Sequence, residues 1–472
     1  MFTNEAKSLY GVSTITSGNM DSAVSDWWNI YKGNPEWVDE ENDIKTIKFA
    51  KAVCAETARL TCLDLGIVID GGARAEYLQD MIDKSVFPRL RNWVEYGCAC
   101  GTVILKPNGK GVDVVTPDRF KVTETDSNRK ITGAIFQDGY VDGDNYYTKL
   151  EYHHFLRASV RMNDSEEYKE VVYYSIRNNA YVSKNVGELG KPIELNNTKW
   201  SGLLPEVTIT KKNHEQLDGM LFGVFRMPSA NDIDIDSPMG MAIFSEAIEE
   251  MKDLDISYSR NAYEIDNSKK IVLADERLVR LPSVRDSNGN IVRRKLELPK
   301  YVMNVNADDE KSFYQEIVPE LQTDKRIAGI NNQLSFIGYK CGYSNGYFVF
   351  DQKTGMITAT QVESDDRRTI QMIKDIRDSL QQAVKELLYA ISVFADLYSL
   401  APVSEYEVNY SFGDITYSYA EDKAQWWQYV TQGKVPAWMY FVKFEKMSEE
   451  EAKAMQAELE EKEKKMLFDQ GE

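Results

Sequence analysis

The chain has 472 residues, a length that suits two to four domains. Its formal net charge of −19, from 56 basic and 75 acidic residues, argues against a protein that coats nucleic acid with Lys and Arg. With 43% hydrophobic and 11% aromatic residues the chain is not disordered as a whole, and no apolar run reaches the roughly 18 residues that would span a bilayer. We therefore expect a globular protein without a membrane segment, whose contacts with nucleic acid are local or loose.

The cysteines and histidines do not predict a metal site. Cys98 and Cys100 flank a single residue, and the sequence has no C-x-x-C pair. The N-terminal sequence lacks the basic start and apolar stretch of a secretory signal, so we expect a cytoplasmic chain with buried thiols. The adjacent His153 and His154 would point to opposite sides of a strand, which disfavours a shared ion. We expect neither a metal nor a cofactor.

The first region, residues 1 to about 90, is predicted to be helical. An aromatic cluster precedes the turn Gly33-Asn34-Pro35, and a long amphipathic stretch runs from Ile44 to Leu65. We interpret the cluster as core packing. Its members are Trp27, Trp28, Ile30 and Tyr31.

From Gly101 to about Leu221 the pattern changes to short β-type runs separated by Gly, Asn and Asp turns. These runs predict antiparallel strands. The dipeptide Asp142-Gly143 is a hairpin signal between Tyr140 and Tyr146. The clearest runs are 102–105, 134–136 and 171–176.

The acidic segment 232–238 has two interpretations. Asp236 or Ser237 could cap a helix whose first turn contains Pro238. Strand alternation would instead place Asp232, Asp234 and Asp236 on one side, as a Mg²⁺-dependent nuclease requires. Because a long helical pattern follows, we favour the turn and cap.

A long helix is predicted from Pro238 to about Asp266, with apolar residues at intervals of three or four. Its opposite face carries four acids at helical spacing, where like charges are mildly unfavourable. This face is either simply solvated or lines an aqueous passage. The four acids are Glu246, Glu249, Glu250 and Asp253.

A basic segment follows this helix. Between Ile265 and Lys300 there are nine Lys or Arg and five acids, a local charge of +4 in a chain of −19. The segment from about 269 to 306 is rich in β-type residues, and the turn at 286–290 predicts a hairpin.

The rest of the chain is mostly helical. One helix is predicted from Glu316 to Tyr339 and a strongly amphipathic one from Thr360 to Ala395, with Thr360 and Glu363 at capping-box spacing. A strand-like region and two further helical segments complete the pattern. The strand-like region is 406–419, and the last helix starts at Ser448 with Glu451 at capping-box spacing.

Catalytic motifs are missing from the sequence. There is no G-x-x-x-x-G-K-[ST], no G-x-S-x-G elbow, no H-E-x-x-H and no dinucleotide glycine fingerprint. The three histidines leave few candidates for acid-base chemistry. We predict that the chain is not an enzyme.

Five sequence segments stand in a recognisable order between Trp27 and Lys453. They are WWNIYKG at 27–33, the region 54–115 with GCACG at 97–101, SPMGMAIF at 237–244, GYFVFD at 346–351 and TATQV at 358–362. In this order they resemble the portal, or head-to-tail connector, family of tailed bacteriophages, of siphophage type. The resemblance covers most of the chain and rests on the order of the segments, since none alone is as specific as a metal-ligand motif.

The resemblance implies an α+β portal fold that forms a ring, usually of twelve subunits, around an axial channel for double-stranded DNA. In this family the ring sits at one capsid vertex and serves DNA packaging and ejection. The implied parts are a wing at 1–237, a first stem helix at 238–266, a clip at 267–308, a second stem helix at 309–340, a tunnel loop at 341–358, the rest of the wing at 359–420 and a crown at 421–472.

The resemblance also implies partners and a location. The terminase large subunit and later the head-tail adaptor would dock on the ring, which would also contact the major capsid and scaffold proteins. The chain would be part of the virion, at a capsid vertex, and would be in the host cytoplasm during assembly. The energy for packaging would come from the terminase, in agreement with the missing nucleotide motif.

Three sets of residues become candidates under this resemblance. The four acids between 246 and 253 would line the channel, and their repulsion would keep the duplex centred. A basic clip would suit an acidic partner surface or passing phosphates. The polar residues Gln352, Lys353 and Thr354 would either face DNA in the tunnel loop or form an ordinary exposed hairpin tip. The clip candidates are Arg285, Arg293, Arg294 and Lys295.

Two other functions remain open. One is a monomeric or dimeric metal-dependent nuclease that uses the acids at 232, 234 and 236. The other is a different head or neck structural protein, such as a neck adaptor or a capsid component. The mass of the purified assembly separates these classes.

Overall fold

A computed structural model describes most of the chain. The described residues are 2–39, 41, 43–161, 168–211, 215–267, 271–275, 284–285, 291–292, 302–305, 314–317, 323–349, 367–413, 419–432, 434–445 and 447–458. They form a mixed helical and sheet structure, in agreement with the predicted α+β class. The chain divides into two compact units, one of Met1–Cys62 with Ile67–Tyr410 and one of Leu63–Gly66 with Ser411–Glu472. Within the described ranges, no helix has the length and apolarity needed to cross a membrane.

Five helices precede the main sheet, and one turn of π-helix at Ile82–Val86 joins the fourth to the fifth. The helices are α1 Thr3–Tyr10, α2 Gly18–Lys32, α3 Phe49–Thr61, α4 Ala73–Met81 and α5 Phe87–Cys100.

The aromatic cluster of α2 is part of the core, as predicted. Trp27, Ile30 and Tyr31 are buried, and the ring of Trp28 stacks on Tyr31 at 5.3 Å between centroids. The helix ends at Gly33, whose φ of 87° lies in the left-handed region that glycine adopts without strain. The predicted turn at 33–35 is therefore confirmed.

The stretch from Ile44 to Leu65 is helical only over α3. The backbone N–H groups of Lys45 and Ile47 donate to the side chains of Ser259 and Asp255, at 2.9 Å and 3.0 Å. Because these donors are bonded to distant side chains, they do not enter a helix, and α3 begins after them.

Strands β4 to β9 form one six-stranded antiparallel sheet in the order β4-β5-β6-β7-β8, with β9 also paired to β7. Strands β2, β3 and β10 form a smaller antiparallel sheet. The bounds are β1 Gly66–Gly71, β2 Thr102–Pro107, β3 Val112–Val115, β4 Phe120–Thr125, β5 Ile131–Asp142, β6 Asn145–Arg161, β7 Tyr168–Ser183, β8 Lys191–Ile193, β9 Glu206–Ile209 and β10 Gly223–Arg226.

The strand predictions in this region are confirmed. The runs 102–105, 134–136 and 171–176 fall inside β2, β5 and β7. Asp142 pairs with Asn145 across a two-residue turn in which Gly143 has a φ of 57°. The Asp142-Gly143 signal thus formed the hairpin it predicts.

The segment 238–244 corrects the predicted start of the long helix. It is irregular and buried, and α6 spans Ile248–Asn267 after a 3₁₀ turn. The N–H of Gly240 donates to Thr102 Oγ1 at 2.8 Å, and a Cβ on Gly101 would lie 2.1 Å from the carbonyl oxygen of Gly240. The close approach of these two glycines fixes the segment against the end of α5, so the predicted cap at Asp236 or Ser237 is wrong.

The basic segment contains the predicted β structure. Strand β11 Ile271–Asp275 lies between β14 Val302–Val305, which is parallel to it, and β15 Tyr314–Ile317, which is antiparallel. Strands β12 Val284–Arg285 and β13 Ile291–Val292 pair antiparallel, which confirms the hairpin. Its turn, 286–290, lies outside the described residues.

The next two helices follow with changed boundaries. Helix α7 spans Thr323–Lys340, later than the predicted start at Glu316, because Glu316 pairs with Val272 in a strand. Helix α8 spans Arg367–Leu397 and confirms the amphipathic prediction, although 360–366 lies outside the described residues. Strand β16, Tyr406–Ser411, pairs with β1 and is shorter than the predicted 406–419.

Helix α8 packs on β10 and forms much of the core of the first unit. A Cβ on Gly223 would lie 2.1 Å from the carbonyl oxygen of Ala383, so this contact requires glycine. The side chain of Arg377 donates to the carbonyl oxygens of Leu60 and Thr61 and thereby satisfies the end of α3.

The second unit contains α9 Tyr419–Thr431, α10 Ala437–Glu445 and a helical segment at 449–458. The first two pack through aromatic rings, with Trp427 and Tyr440 at 5.0 Å between centroids. Ser448 and Glu451 exchange the predicted capping-box bonds at 3.3 Å and 3.1 Å.

Candidate functional site

Three of the four acidic residues selected from the sequence lie on α6, and Glu246 lies in the 3₁₀ turn that precedes it. Helix α6 packs antiparallel to α7. Lys340 contacts Glu250, and Gln333 contacts Ser257 at 3.1 Å, so the residue numbers run in opposite directions along the two helices. The segment between the two helices therefore leaves and returns at the same end of the pair.

Glu250 differs from the other three acids. Its Oε1 accepts from Lys340 Nζ at 2.6 Å, and the same ammonium group donates to the carbonyl oxygen of Glu246 at 2.9 Å. The second carboxylate oxygen of Glu250 is buried without a donor. The prediction that all four acids share one solvated face is therefore wrong for Glu250, which holds α6 to α7.

The other three acids form a solvent-facing row. Glu246, Glu249 and Asp253 are exposed, and none of them forms an ion pair with a described residue. Glu249 and Asp253 are four residues apart on α6 and therefore lie on one side of it, and Glu246 precedes Glu249 by three residues in the adjoining 3₁₀ turn. The row is a strip of unneutralised negative charge about two turns long. We call it the acidic strip.

The opposite side of α6 is anchored by an acid that the sequence pattern did not single out. Asp255 is buried and accepts from Trp37 Nε1 at 2.9 Å and from the N–H of Ile47 at 3.0 Å. In the sequence, the one indication of this role was that Asp255 lies next to Leu254, within the apolar stripe of the predicted helix. These bonds fix the rotation of α6, and with it the direction of the acidic strip.

The second acidic candidate does not form the predicted arrangement. The segment 232–236 consists of turns, so the strand alternation that would align its three carboxylates is absent. Asp234 accepts from the N–H of Ser17 at 3.0 Å, and Asp236 pairs with Arg129 at 3.2 Å. Burial opposes ionisation of Asp234, but the bonds from Ser17 outweigh it and hold the pKa of this carboxyl below its usual value. Over the described ranges, no group of three His, Cys, Asp or Glu is arranged to hold a metal ion.

Most of the other candidates lie outside the described residues. This applies to the tunnel-loop candidates Gln352, Lys353 and Thr354. Arg285 lies on β12, opposite Ile291 in the register. The remaining clip candidates, Arg293, Arg294 and Lys295, are also outside the described residues.

The five cysteines, His153 and His154 form part of the packed structure. All five cysteines are free, and four of them are buried. Burial raises the pKa of the half-buried Cys62 to about 11, so its reactive thiolate form is disfavoured. His153 and His154 point to opposite faces of β6, as predicted, with His154 stacked on Tyr152 at 4.2 Å between centroids.

A buried charged network lies on one face of the main sheet. Lys149, Glu151 and His153 alternate along one face of β6, and Lys106 reaches them from β2. The carboxylate of Glu151 accepts from Lys106 Nζ at 2.5 Å, from Lys149 Nζ at 2.7 Å and from His153 Nε2 at 2.6 Å. The second ring nitrogen of His153 lies 2.7 Å from the hydroxyl of Tyr174. No pattern in the sequence singled out these residues.

The network has a defined proton arrangement. Burial lowers the pKa of His153 against the attraction of Glu151, so the ring is neutral near pH 7. Because a carboxylate only accepts, His153 Nε2 carries the proton and Nδ1 accepts from the Tyr174 hydroxyl. Tyr174 in turn accepts from the N–H of Leu221 at 3.1 Å. Every polar group in this chain of contacts has a partner, which indicates a structural role.

A cleft of about 640 Å³ lies between α8, the β4–β5 turn and the segment around β10. Met220, Phe222 and Val224 supply part of its apolar lining, and Arg226 and Lys385 are among its charged residues. We call it the α8 cleft.

The acidic strip is a feature predicted from the sequence whose position and exposure the structure defines. No protein-family model and no curated protein matches this chain.

Proposed function

We propose that the chain is a portal subunit, which assembles into a ring around a channel for double-stranded DNA. The proposal depends on the acidic strip of Glu246, Glu249 and Asp253, at the start of α6 and in the turn before it. The strip is exposed, no described residue neutralises it, and the opposite side of α6 is anchored. In the ring, this strip faces the channel.

Electrostatics supports this role for the strip. Each phosphate that Lys or Arg neutralises adds salt-dependent affinity for DNA, and a channel that passes DNA must keep that affinity low. Carboxylates on the wall repel the duplex and keep it mobile. The like charges at i,i+3 and i,i+4 slightly destabilise α6, and the contacts of Asp255 and Glu250 offset that cost.

The order of elements supports the same proposal. In the sequence, the β-rich basic segment lies between α6 and α7. Because these two helices are antiparallel, the segment leaves and returns at one end of the pair. This arrangement resembles two stem helices with a clip between them. The basic segment is then the docking site for the terminase large subunit and later for the head-tail adaptor.

The missing nucleotide motif agrees with a passive channel. The terminase supplies the energy for packaging, and the ring guides the DNA at one capsid vertex of the virion, next to the capsid and scaffold proteins. Within this proposal the chain needs no cofactor and performs no catalytic step.

We expect the purified chain to form a ring. Twelve copies of a 54.0 kDa chain give a mass of about 650 kDa, which size-exclusion chromatography with light scattering separates from a single chain. Negative-stain images of that peak should show a central channel. A chain that stays at 54.0 kDa and cleaves DNA with Mg²⁺ would instead support the nuclease alternative.

Neutralising the acidic strip should make the channel retain DNA. In the variant Glu246→Gln, Glu249→Gln, Asp253→Asn we expect binding of short duplex DNA to increase by about tenfold at low salt, because three repulsive charges per copy are lost. The increase should shrink as salt is added, since salt screens exposed charges. Fluorescence anisotropy of labelled duplex measures both effects.

A matched control separates channel charge from total charge. Glu76→Gln, Asp142→Asn, Asp144→Asn removes three exposed acids elsewhere in the first unit. We expect this variant to bind DNA as weakly as the unmodified protein. An equal increase in DNA binding in both variants would show that the acidic strip does not face the channel.

A further inference from the structure

The loop after α8 presents apolar side chains to solvent. Leu397, Tyr398, Leu400 and Val403 are exposed by 44%, 63%, 54% and 73%. Clustered exposure of large apolar side chains is unusual on a soluble surface and marks sites of interaction. We call residues 397–403 the apolar loop.

The backbone of the apolar loop is held from inside the protein. Arg74 is only 1% exposed, and its guanidinium donates to the carbonyl oxygens of Ala401, Pro402 and Ser392 and to the carboxylate of Asp396. Within the loop, the N–H of Leu400 donates to Ala395 O at 2.9 Å. The apolar side chains are therefore displayed on a fixed backbone, which lowers the entropy lost when a partner binds.

The charged residues next to the loop in the sequence are all acidic. The segment 396–407 contains Asp396, Glu405 and Glu407 and no Lys or Arg. Asp396 pairs with Arg74, while Glu405 and Glu407 are exposed. A partner for this loop therefore needs an apolar surface with positive charge beside it.

The α8 cleft has that chemistry. Part of its lining is apolar, and its volume lies within the roughly 300–1,000 Å³ of pockets that enclose compact ligands. Arg226 and Lys385 are exposed, and neither forms an ion pair with a described residue. The cleft can thus take a few apolar side chains and still offer two cations to the acids that flank them.

The carboxylates of the cleft cancel only part of this charge. Asp218 pairs with Lys211 at 2.5 Å, and Glu386 pairs with Lys130 at 3.4 Å. Asp375 accepts from Gln371 at 2.8 Å. Asp218 and Glu386 are therefore ion-paired, whereas Asp375 keeps its negative charge because its donor is a neutral amide. The two cations outnumber this one carboxylate, which leaves the cleft with a net positive charge for an outside group.

We propose that the α8 cleft binds the apolar loop of a second copy of this chain. One chain carries both halves of the contact at different places on the first unit. Each copy therefore gives its loop to one neighbour and receives the loop of another. Such a head-to-tail contact builds a ring when the rotation closes and an open chain when it does not. The inference extends the proposed function by naming the contact between copies, and it applies to any head-to-tail assembly.

Cross-linking tests this contact directly. Val403→Cys places a thiol on the loop, and Gln382→Cys places one at the cleft, where Gln382 is exposed. When the two variants are co-expressed and treated with a short bismaleimide, we expect a covalent pair at about twice 54.0 kDa. Neither variant alone should give that band, because each has an engineered thiol on only one side of the contact.

The control uses a valine of similar exposure away from the loop. Val186 is 77% exposed, and Val186→Cys co-expressed with Gln382→Cys should give no covalent pair. An equal band in this control would overturn the proposed contact, because the linkage would then be non-specific.

A second variant measures the strength of the contact. Leu400→Asp puts a charge into the loop at an exposed position, so the fold should be retained by circular dichroism and thermal unfolding. We expect self-association to weaken by at least about tenfold in light scattering at graded concentrations, since a charged side chain disfavours transfer into an apolar cleft. Val186→Asp should leave self-association unchanged.

The outcomes separate this contact from the channel proposal. A closed ring without the Val403–Gln382 link would overturn the contact and leave the channel standing. Linked open chains would support the contact and overturn the ring. A chain that stays at 54.0 kDa at every concentration would overturn both.

Discussion

Replacing Glu151 with Gln is expected to lower the free energy of unfolding by about 3–5 kcal/mol, because it leaves two buried lysines without a counter-charge. Lys106 and Lys149 both bond to this carboxylate, and His153 donates to it as well. Urea denaturation monitored by circular dichroism should show a lower midpoint with an unchanged slope.

The effect of Glu151→Gln should depend on pH in a defined direction. Burial alone opposes ionisation, but Lys106, His153 and Lys149 together hold the pKa of Glu151 well below its usual value. A depressed carboxyl pKa gives stability that is present above the unfolded value, about 4.5, and is lost as the pH falls towards the folded value. The difference between the variant and the unmodified protein should therefore narrow below about pH 4.5.

Two control variants test whether the unpaired buried charge causes the loss of stability. Glu206→Gln breaks the exposed pair with Arg177 and should cost at most about 1 kcal/mol. The triple change Lys106→Met, Lys149→Met, Glu151→Leu removes all three charges together and should be far less destabilising than Glu151→Gln alone. A triple variant as unstable as Glu151→Gln would mean that packing, and not the unpaired charge, sets the cost.

Replacing Arg74 with Met is expected to lower the free energy of unfolding by about 3 kcal/mol, because three backbone carbonyl groups and the Asp396 carboxylate lose their donor. The loss should be greatest near the apolar loop. Hydrogen exchange should show faster exchange at Leu400, whose N–H bond to Ala395 depends on the held backbone.

The conservative variants show whether geometry or charge matters at this position. Arg74→Lys keeps the charge but lacks the planar set of donors, so it should recover only part of the loss. Arg129→Met removes an exposed arginine paired with Asp236 and should cost at most about 1 kcal/mol. If Arg74→Lys were as stable as the unmodified protein, a single charge contact would be enough to hold the loop. The planar set of donors of Arg74 would then not be needed.

Most helices and strands could be predicted because their signals are local. The apolar repeat of α8, the Asp142-Gly143 hairpin and the capping box of Ser448 and Glu451 each depend on residues a few positions apart. Such signals survive in the fold when no distant contact competes with them.

The boundaries that differed from prediction have distant causes. Helix α6 begins at Ile248 because Gly240 is held against Gly101 and Thr102. Helix α7 begins at Thr323 because the residues before it pair with β11. In both places tertiary hydrogen bonds outweighed a pattern that favours helix.

The candidate site also has a part that could be predicted from the sequence and a part that could not. The sequence predicted that α6 carries a face of acids, and it could not separate Glu250 from Glu246, since both are spaced alike along the helix. Only the packing of α7 decides that Glu250 binds Lys340 while the acidic strip stays exposed. The role of Asp255 depends likewise on Trp37, which is far away in sequence.

We could predict the α+β class, the amphipathic helices, the hairpins and the charge contrast between an acidic chain and its basic segment, because these properties follow from composition and short-range spacing. Which charges are paired, as at Glu151 and Glu250, and which apolar side chains remain exposed, as in the apolar loop, became known only from the folded arrangement of the chain. A side chain's partner and its exposure depend on which distant segments fold against it, and residue spacing within one element does not contain that information.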